Sequence, residues 1–226
     1  MPDRLVVRRL GLVPYTVALR LQEEQVLARA NGEAGDTLLL LEHPPVLTAG
    51  RGTIDGSLKV DAPALARRGL EVVPVSRGGD ITWHGPGQLV GYPICDLGPK
   101  GRDLHRFLRG LEAGLMASLS RFGIESHQTE GRTGVWVGER KIASIGIAVR
   151  RWVSYHGFAL NVSPSLEDFE LIHPCGLTGV RMTSMRELLA AACPAFDEVQ
   201  AVVAADVAFH LGYAGVREDE HTGAAA

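Results

Sequence analysis

Between Leu104 and Phe122 apolar residues return every three or four positions (Leu104, Leu108, Leu111, Leu115, Leu119, Phe122), the stripe of an amphipathic helix, with Asp103 as its cap and Gly123 as its stop. The same spacing predicts a helix over Pro14 to Asn31, with Val17, Leu21 and Ala28 on its inner stripe and Gly32 ending it. Asp61 can cap a short helix running through Arg68. Ser184 and Glu187 form a capping box for a helix ending before Pro194, and Asp197 with Gln200 opens a last helix to about Leu211. Strands are expected where apolar runs are short or alternate: Leu5 to Leu10, Asp36 to Glu42, Glu71 to Ser76, Gln88 to Leu97 and Trp152 to Val162. Pro74 places the third of these near a sheet edge. Gly134 to Val149 reads as a hairpin turning at Gly138-Glu139. No repeat or linker interrupts the pattern before the polar, Ala-rich end.

This order predicts an α/β (α+β) fold: one domain with a mixed sheet and flanking helices, over residues 1–212, followed by a flexible tail over 213–226. The length of 226 residues agrees with one domain large enough to need no staples. A net charge of -3 gives no pull toward nucleic acid or anionic membrane. The first residues lack the apolar core of a signal peptide, and no run approaches a membrane span, so a cytoplasmic location is expected. Three cysteines (Cys95, Cys175, Cys193) make no disulfide framework and suit a reduced compartment. Three lysines (Lys59, Lys100, Lys141) stand against 20 arginines, a skew that genomic base composition can produce.

Candidate chemistry lies in the glycine-dense loops. Cys175 sits between Pro174 and Gly176, open to a substrate, so it reads either as a nucleophile or as a small inert loop residue. Cys95 and Cys193 read as packing residues. Alternation along GERKIASIG puts Lys141, Ala143 and Ile145 on one strand face and Ile142, Ser144 and Gly146 on the other. A solvated surface lysine competes with a functional one there. His84, in WHGPGQ, can serve as donor, base or ligand. His43, His105, His127, His156 and His173 are too dispersed for a metal motif, and no C-x-x-C occurs, so no metal is expected. Arg77-Gly78-Gly79-Asp80 could cradle an anion through backbone N–H groups and Arg77. Neither a phosphate-loop nor a dinucleotide fingerprint is present.

Three blocks taken together, RGGDITWHGPGQLVGYP (77–93), GRTGVWVGERKIASIGIAVRRWVSYHGFALNV (131–162) and FELIHPCGLTGVRMTS (169–184), resemble the bacterial lipoyl(octanoyl) transferases, in family order over roughly residues 5–212. The resemblance implies a fold like the catalytic domain of biotin and lipoate protein ligases. It also implies transfer of octanoyl from octanoyl-acyl carrier protein to a lysine of lipoyl domains. The acceptors would be the glycine cleavage H protein and the acyltransferase subunits of 2-oxoacid dehydrogenases. It implies a catalytic pair, Cys175 and Lys141, acting without a cofactor in a monomer. Substrate-binding segments fall on Arg77, Gly78, Gly79, Asp80, Ile81, Thr82, Trp83 and His84, on Ser144, Ile145 and Gly146, and on Gly157, Phe158 and Ala159. Asp80 and Trp83 stand where the family more often has Gln and Tyr, and Ser144 where it often has Ala.

The implied chemistry is a thiolate attack on a thioester, with Lys141 as the ammonium that favours the thiolate and later as general base. Backbone N–H groups near Cys175 and Gly78 are candidate oxyanion donors. Ile145, Ile147, Val135, Leu89 and Phe158 are candidate linings for the acyl tail. Arg150-Arg151 and Arg102, Arg106 and Arg109 are candidate contacts for acidic partner proteins. Three other activities remain open: an ATP-dependent lipoate–protein ligase, an octanoyl amidotransferase between lipoyl proteins, and a non-catalytic module that binds lipoyl domains.

Overall fold

The computed structural model describes residues 4–173 and 180–219. The chain begins with strand β1 (Leu5–Leu12), helix α1 (Tyr15–Ala30), β2 (Thr37–Glu42) and β3 (Val46–Ala49). It continues with α2 (Ala62–Arg67), β4 (Val72–Pro74), β5 (Ile81–His84), β6 (Gln88–Ile94) and α3 (Leu104–Arg121). Then come β7 (His127–Thr129), β8 (Arg132–Val137), β9 (Arg140–Arg150), β10 (Val153–Asn161) and a 3-10 turn over Glu167–Leu171. The described chain closes with β11 (Arg181–Met182), α4 (Met185–Leu189), α5 (Phe196–His210) and β12 (Val216–Glu218).

The main sheet is mixed, in the order β12-β1-β2-β6-β10-β9-β8-β7. Strand β10 pairs antiparallel with β9 from Ala143 to Arg150, and β11 pairs parallel with β9 at Arg140 and Lys141. One face carries the larger core, where α3 and α5 pack through Phe107, Leu111, Leu115, Val203 and Val207. Gly114 is needed there, because a Cβ would lie 2.8 Å from the Val207 Cα. The other face is covered by α1 through Ala18 and Val26. A second sheet, β4-β3-β5, closes over α2 and the 3-10 turn with Leu47, Leu65, Trp83 and Phe169. Asp61 and Asp103 cap α2 and α3 as expected, accepting from Ala64 N and Arg106 N. Ser184 caps α4 by accepting from Glu187 N.

Three expectations need correction. The buried stripe of α1 is Tyr15, Ala18, Gln22 and Val26, one position round from Val17, Leu21 and Ala28. Gln22 interrupts the apolar pattern because its side-chain oxygen accepts the His156 backbone N–H at 2.8 Å, a long-range need invisible to hydropathy. Helix α5 starts at Phe196 with no side-chain cap, which leaves Asp197 in its first turn and Gln200 accepting from Arg9 instead. The chain after 212 is not a loose tail as far as Asp219. Tyr213 is buried and donates to Asp36 at 2.6 Å, β12 pairs parallel with β1, and Arg9 holds Glu218 at 2.9 Å. The open edge of β1 supplies the backbone partners that a polar sequence cannot advertise. Residues 220–226 lie outside the described residues.

Ending the chain after Gly212 is therefore expected to destabilise the fold. Loss of one buried aromatic costs about 3 kcal/mol or more, and a chain of this size loses about 2–4 °C of melting temperature per kcal/mol. A truncated protein melting with the full-length chain would refute this placement of Tyr213.

Candidate active site

A cavity of about 430 Å³ opens over β9 and β10 beneath the loop at residues 77–80, within the size range of small-molecule sites. Its walls include Arg77, Gly78, Gly79, Asp80, Ile81, Thr82 and His84, with Ser144, Ile145, Gly146, Gly157, Phe158 and Ala159 and with Lys141. Of the substrate-binding residues expected from the sequence, only Trp83 is elsewhere. Alternation along β5 turns it into the small-sheet core, where it meets Phe169 edge-on at 5.3 Å between ring centroids.

The loop is shaped by its own arginine. Arg77 Nη2 donates to the Thr48 carbonyl at 2.7 Å and to Thr48 Oγ1 at 2.9 Å. Nη1 donates to the carbonyls of Asp80, at 2.7 Å, and Gly78, at 3.1 Å. These bonds tie the guanidinium to the loop and to β3 while it lines the cavity. The Gly78 N–H donates to the Ile147 carbonyl at 3.0 Å, so it is not the oxyanion donor the sequence suggested. That docking explains Gly146: a Cβ there would lie 2.8 Å from the Gly78 oxygen and 3.2 Å from Arg77 Cδ. The glycine serves the approach of loop to strand rather than of substrate to backbone. Asp80 is buried too, accepting from Ile81 N at 2.6 Å and from Ser57 Oγ at 2.8 Å.

Lys141 is only 2% exposed, at the second position of β9, just after the β8–β9 turn. Burying an ammonium costs several kcal/mol unless it is compensated, so a fold rarely keeps a lysine there for packing. A register shift between Val135 and Trp136 breaks the strict alternation of β8 against β9. Lys141 thereby lines the cavity with Ser144 and Gly146, while Ala143 joins the core, a correction to the face expected from the sequence. Its Nζ lies 5.4 Å from the Trp136 ring centroid. Gly134 makes room for it, since a Cβ at that position would lie 2.5 Å from Lys141 Cε. Cys175 lies outside the described residues. The chain before it is tied by His173 N donating to the Ser57 carbonyl at 2.8 Å, and the chain after it by β11 pairing with Arg140 and Lys141.

The apolar lining comes from Leu104, Leu108, Ile145, Ile147 and Phe158. Val135 and Leu89 are fully buried in the core and do not line the cavity. Arg150 and Arg151 lie toward the far end of β9 from Lys141, Arg150 three residues beyond Ile147 of the cavity wall. Cys95 is fully buried, and burial pushes its thiol up to about 12, as a packing residue should behave.

Sequence reading missed the polar end of the cavity. Tyr15, Tyr92 and His156 line it, and His43 lies behind them with its ring 5.6 Å from that of His84. His43 Nδ1 donates to the Val13 carbonyl at 2.7 Å, which leaves Nε2 to accept from Tyr92 Oη at 2.7 Å. Burial lowers His43 to about 4. Burial, followed by Arg77 and Arg51, lowers His156 to about 3. His84 is held well below 6.5 by burial first, then by His43. These residues come from distant segments: Tyr92 and His156 lie inside the blocks that carry the resemblance, Tyr15 and His43 outside them. Among the described residues, no three His, Cys, Asp or Glu side chains gather as a metal site requires. No helix among them is long and apolar enough to cross a membrane.

Neutral buried histidines make the fold acid-sensitive. The unfolded chain protonates His43 and His156 below about pH 6.5, and the folded chain does so only near pH 4 and 3. Stability is therefore full above pH 6.5 and falls as pH drops, by about 2 kcal/mol per histidine at pH 5. Urea unfolding at pH 7.5 and pH 5 checks this, and equal midpoints would contradict it.

Residues 14–208 match the model of the lipoyl protein ligase A/B catalytic domain. A protein of Syntrophotalea carbinolica named octanoyltransferase is 50% identical over 182 residues, 80% of this chain and 83% of its own length. One of the same name from Geobacter sulfurreducens is 51% identical over 176 residues, 78% of this chain and 72% of its own. Among solved structures, a lipoate-protein ligase A bound with ATP superposes with a TM-score of 0.74 at 17% identity, covering 97% of this chain and 89% of that one. A biotin protein ligase from Aquifex aeolicus in complex with biotin and ATP gives 0.54 at 16% identity, covering 91% and 69%. At such identities these two speak for the fold alone. The chain belongs to the lipoyl protein ligase A/B catalytic-domain family, on its octanoyltransferase branch.

Proposed function

We propose that this chain carries an octanoyl group from octanoyl-acyl carrier protein to the lysine of a lipoyl domain, through a thioester on Cys175. Lipoyl domains of 2-oxoacid dehydrogenase acyltransferase subunits and the glycine cleavage H protein are the acceptors in this reading. Kinship at about half identity to proteins named octanoyltransferase supports the reaction class. The observation that carries the chemistry is Lys141, a lysine buried in the wall of a part-apolar cavity.

A thiol near pH 7 is mostly protonated, with a pKa of about 8.5, and a nearby ammonium favours the thiolate. In the first half-reaction Cys175 sulfur attacks the donor carbonyl carbon. A new C–S bond forms, the C–S bond to the carrier arm breaks, and the departing thiolate takes a proton from Lys141. In the second half-reaction neutral Lys141 takes a proton from the acceptor lysine, whose solution pKa is about 10.4. The freed amine attacks the acyl carbon, Cys175 leaves as thiolate, and one proton passes to solvent. Thioester to amide is downhill, so ATP is not consumed. Burying about six methylenes against Ile145, Ile147, Phe158, Leu104 and Leu108 contributes at most about 5 kcal/mol. An ATP-dependent ligase shares the fold but has no need of Cys175, and a mere binding module needs neither Cys175 nor Lys141.

Two measurements test this. Incubation with octanoyl-acyl carrier protein should raise the intact mass by one octanoyl group, and Cys175→Ala should abolish the rise. A rise that persists in Cys175→Ala removes the nucleophile, and a strict ATP requirement selects the ligase. Separately, Lys141→Ala should slow iodoacetamide alkylation of Cys175 near pH 7 by about tenfold, the effect of raising a thiol pKa by about one unit. Unchanged alkylation would remove the lysine from thiolate formation.

A further inference from the structure

One chain of direct hydrogen bonds, side chain to side chain until it reaches the main chain of Thr183, runs across the whole site. From the loop, Arg77 Nη2 donates to Thr48 Oγ1 at 2.9 Å, and Thr48 Oγ1 faces His84 Nε2 at 3.4 Å. His84 Nδ1 meets Gln88 Oε1 at 2.7 Å. Gln88 Nε2 donates to Asn161 Oδ1 at 3.0 Å, and Asn161 Nδ2 donates to the Thr183 carbonyl at 3.0 Å. Thr183 N donates to the Lys141 carbonyl at 2.9 Å. Thr48, Gln88, Asn161, Thr183 and Lys141 are each at most 2% exposed, so solvent cannot stand in for a broken link.

The chain has one sense. A carbonyl at Thr183 can only accept, so Asn161 must present its amide nitrogen there and its oxygen to Gln88. Gln88 must then present its nitrogen to Asn161 and its oxygen to His84. That requires hydrogen on His84 Nδ1 and leaves Nε2 to accept from the Thr48 hydroxyl, whose own acceptor lone pair takes Arg77. Each choice forces the next, and the sequence ends on the main chain of the lysine. Thr183 is engaged on both sides, by Asn161 at its carbonyl and by Lys141 at its N–H, next to the two-residue strand β11 that pairs with Arg140 and Lys141. The main-chain position of Lys141 is thus referred, through three buried amide and imidazole groups, to the arginine that shapes the loop.

We infer that Asn161 and Gln88 are positioning residues for Lys141, setting where its side chain enters the cavity by clamping the strand beside it. This rests on the role given to Lys141 above.

The test is kinetic. Asn161→Asp keeps the shape but places an acceptor against the Thr183 carbonyl. Around neutral pH and above, kcat should fall about 10- to 100-fold, the scale of an ångström misplacement, with KM for octanoyl-acyl carrier protein within about twofold. As the pH is lowered and the new carboxyl protonates, it can donate again, so the ratio of variant to wild-type kcat should climb back. Gln88→Glu leaves Asn161 intact yet removes the donor that fixes its orientation, and should give the same loss in kcat at unchanged KM. Melting temperatures separate this from unfolding. If both variants fold and keep wild-type kcat while Lys141→Ala is inactive, the positioning inference falls and the role of Lys141 survives. If Lys141→Ala retains activity, both fall together. A loss in Asn161→Asp that does not recover with falling pH, or one seen only in KM, also overturns the inference.

Discussion

The guanidinium of Arg77 is the interaction on which the site depends. It is 8% exposed and its Nη atoms are bound to carbonyl oxygens of Thr48, Gly78 and Asp80 and to a threonine hydroxyl. A short loop rich in glycine has high conformational entropy and no side chains with which to pack. Planar donors of fixed geometry substitute for that missing packing by holding main-chain acceptors in one arrangement. Once held, the loop seats on β9 through Gly78 N to the Ile147 carbonyl, and the glycine at 146 lets it come close. The roof of the cavity is thus made of backbone and its shape is set by one charge.

Burial sets the protonation of its surroundings, and that charge adds to it at His156 and His84. His156 is lowered first by burial and then by Arg77 and Arg51, so a second positive charge there is disfavoured twice. His84 and His43 are neutral chiefly because they are buried. Neutral imidazoles have distinct donor and acceptor nitrogens, whereas imidazolium donates from both. The hydrogen-bond directions around His43 and His84 exist only in the neutral state. The buried imidazoles and the acid sensitivity of the fold are therefore one fact seen from two sides.

The regular elements were legible because local pattern and tertiary burial agreed. The stripe from Leu104 to Phe122 is a helix on the core, and the hairpin turning at Gly138 is in place. The site residues were legible as loops and glycines of the right kind, and the family resemblance found Lys141 and the walls around it. Failures came wherever one residue answers to a distant partner. Gln22 disguised the face of α1 by serving His156. A one-residue shift in pairing moved Lys141 to the other face. Gly78 looked like an open donor until Ile147 was seen to occupy it. Tyr15, Tyr92 and His156 carry no local signature, since what joins them is a shared cavity wall rather than spacing.

Arginine and lysine divide the work in a way that excludes exchange. At 77 the chain needs several donors with fixed angles and a charge that never leaves, because the loop loses its shape if the charge does. At 141 the stem passes Gly134, where even a single Cβ would collide with it, and the proposed chemistry needs a head group that can give up a proton. A guanidinium would stay charged through both half-reactions of the proposed chemistry. In a chain that otherwise favours arginine, lysine at 141 is thus what the proton of the proposed chemistry calls for, and the glycine at 134 leaves its stem room.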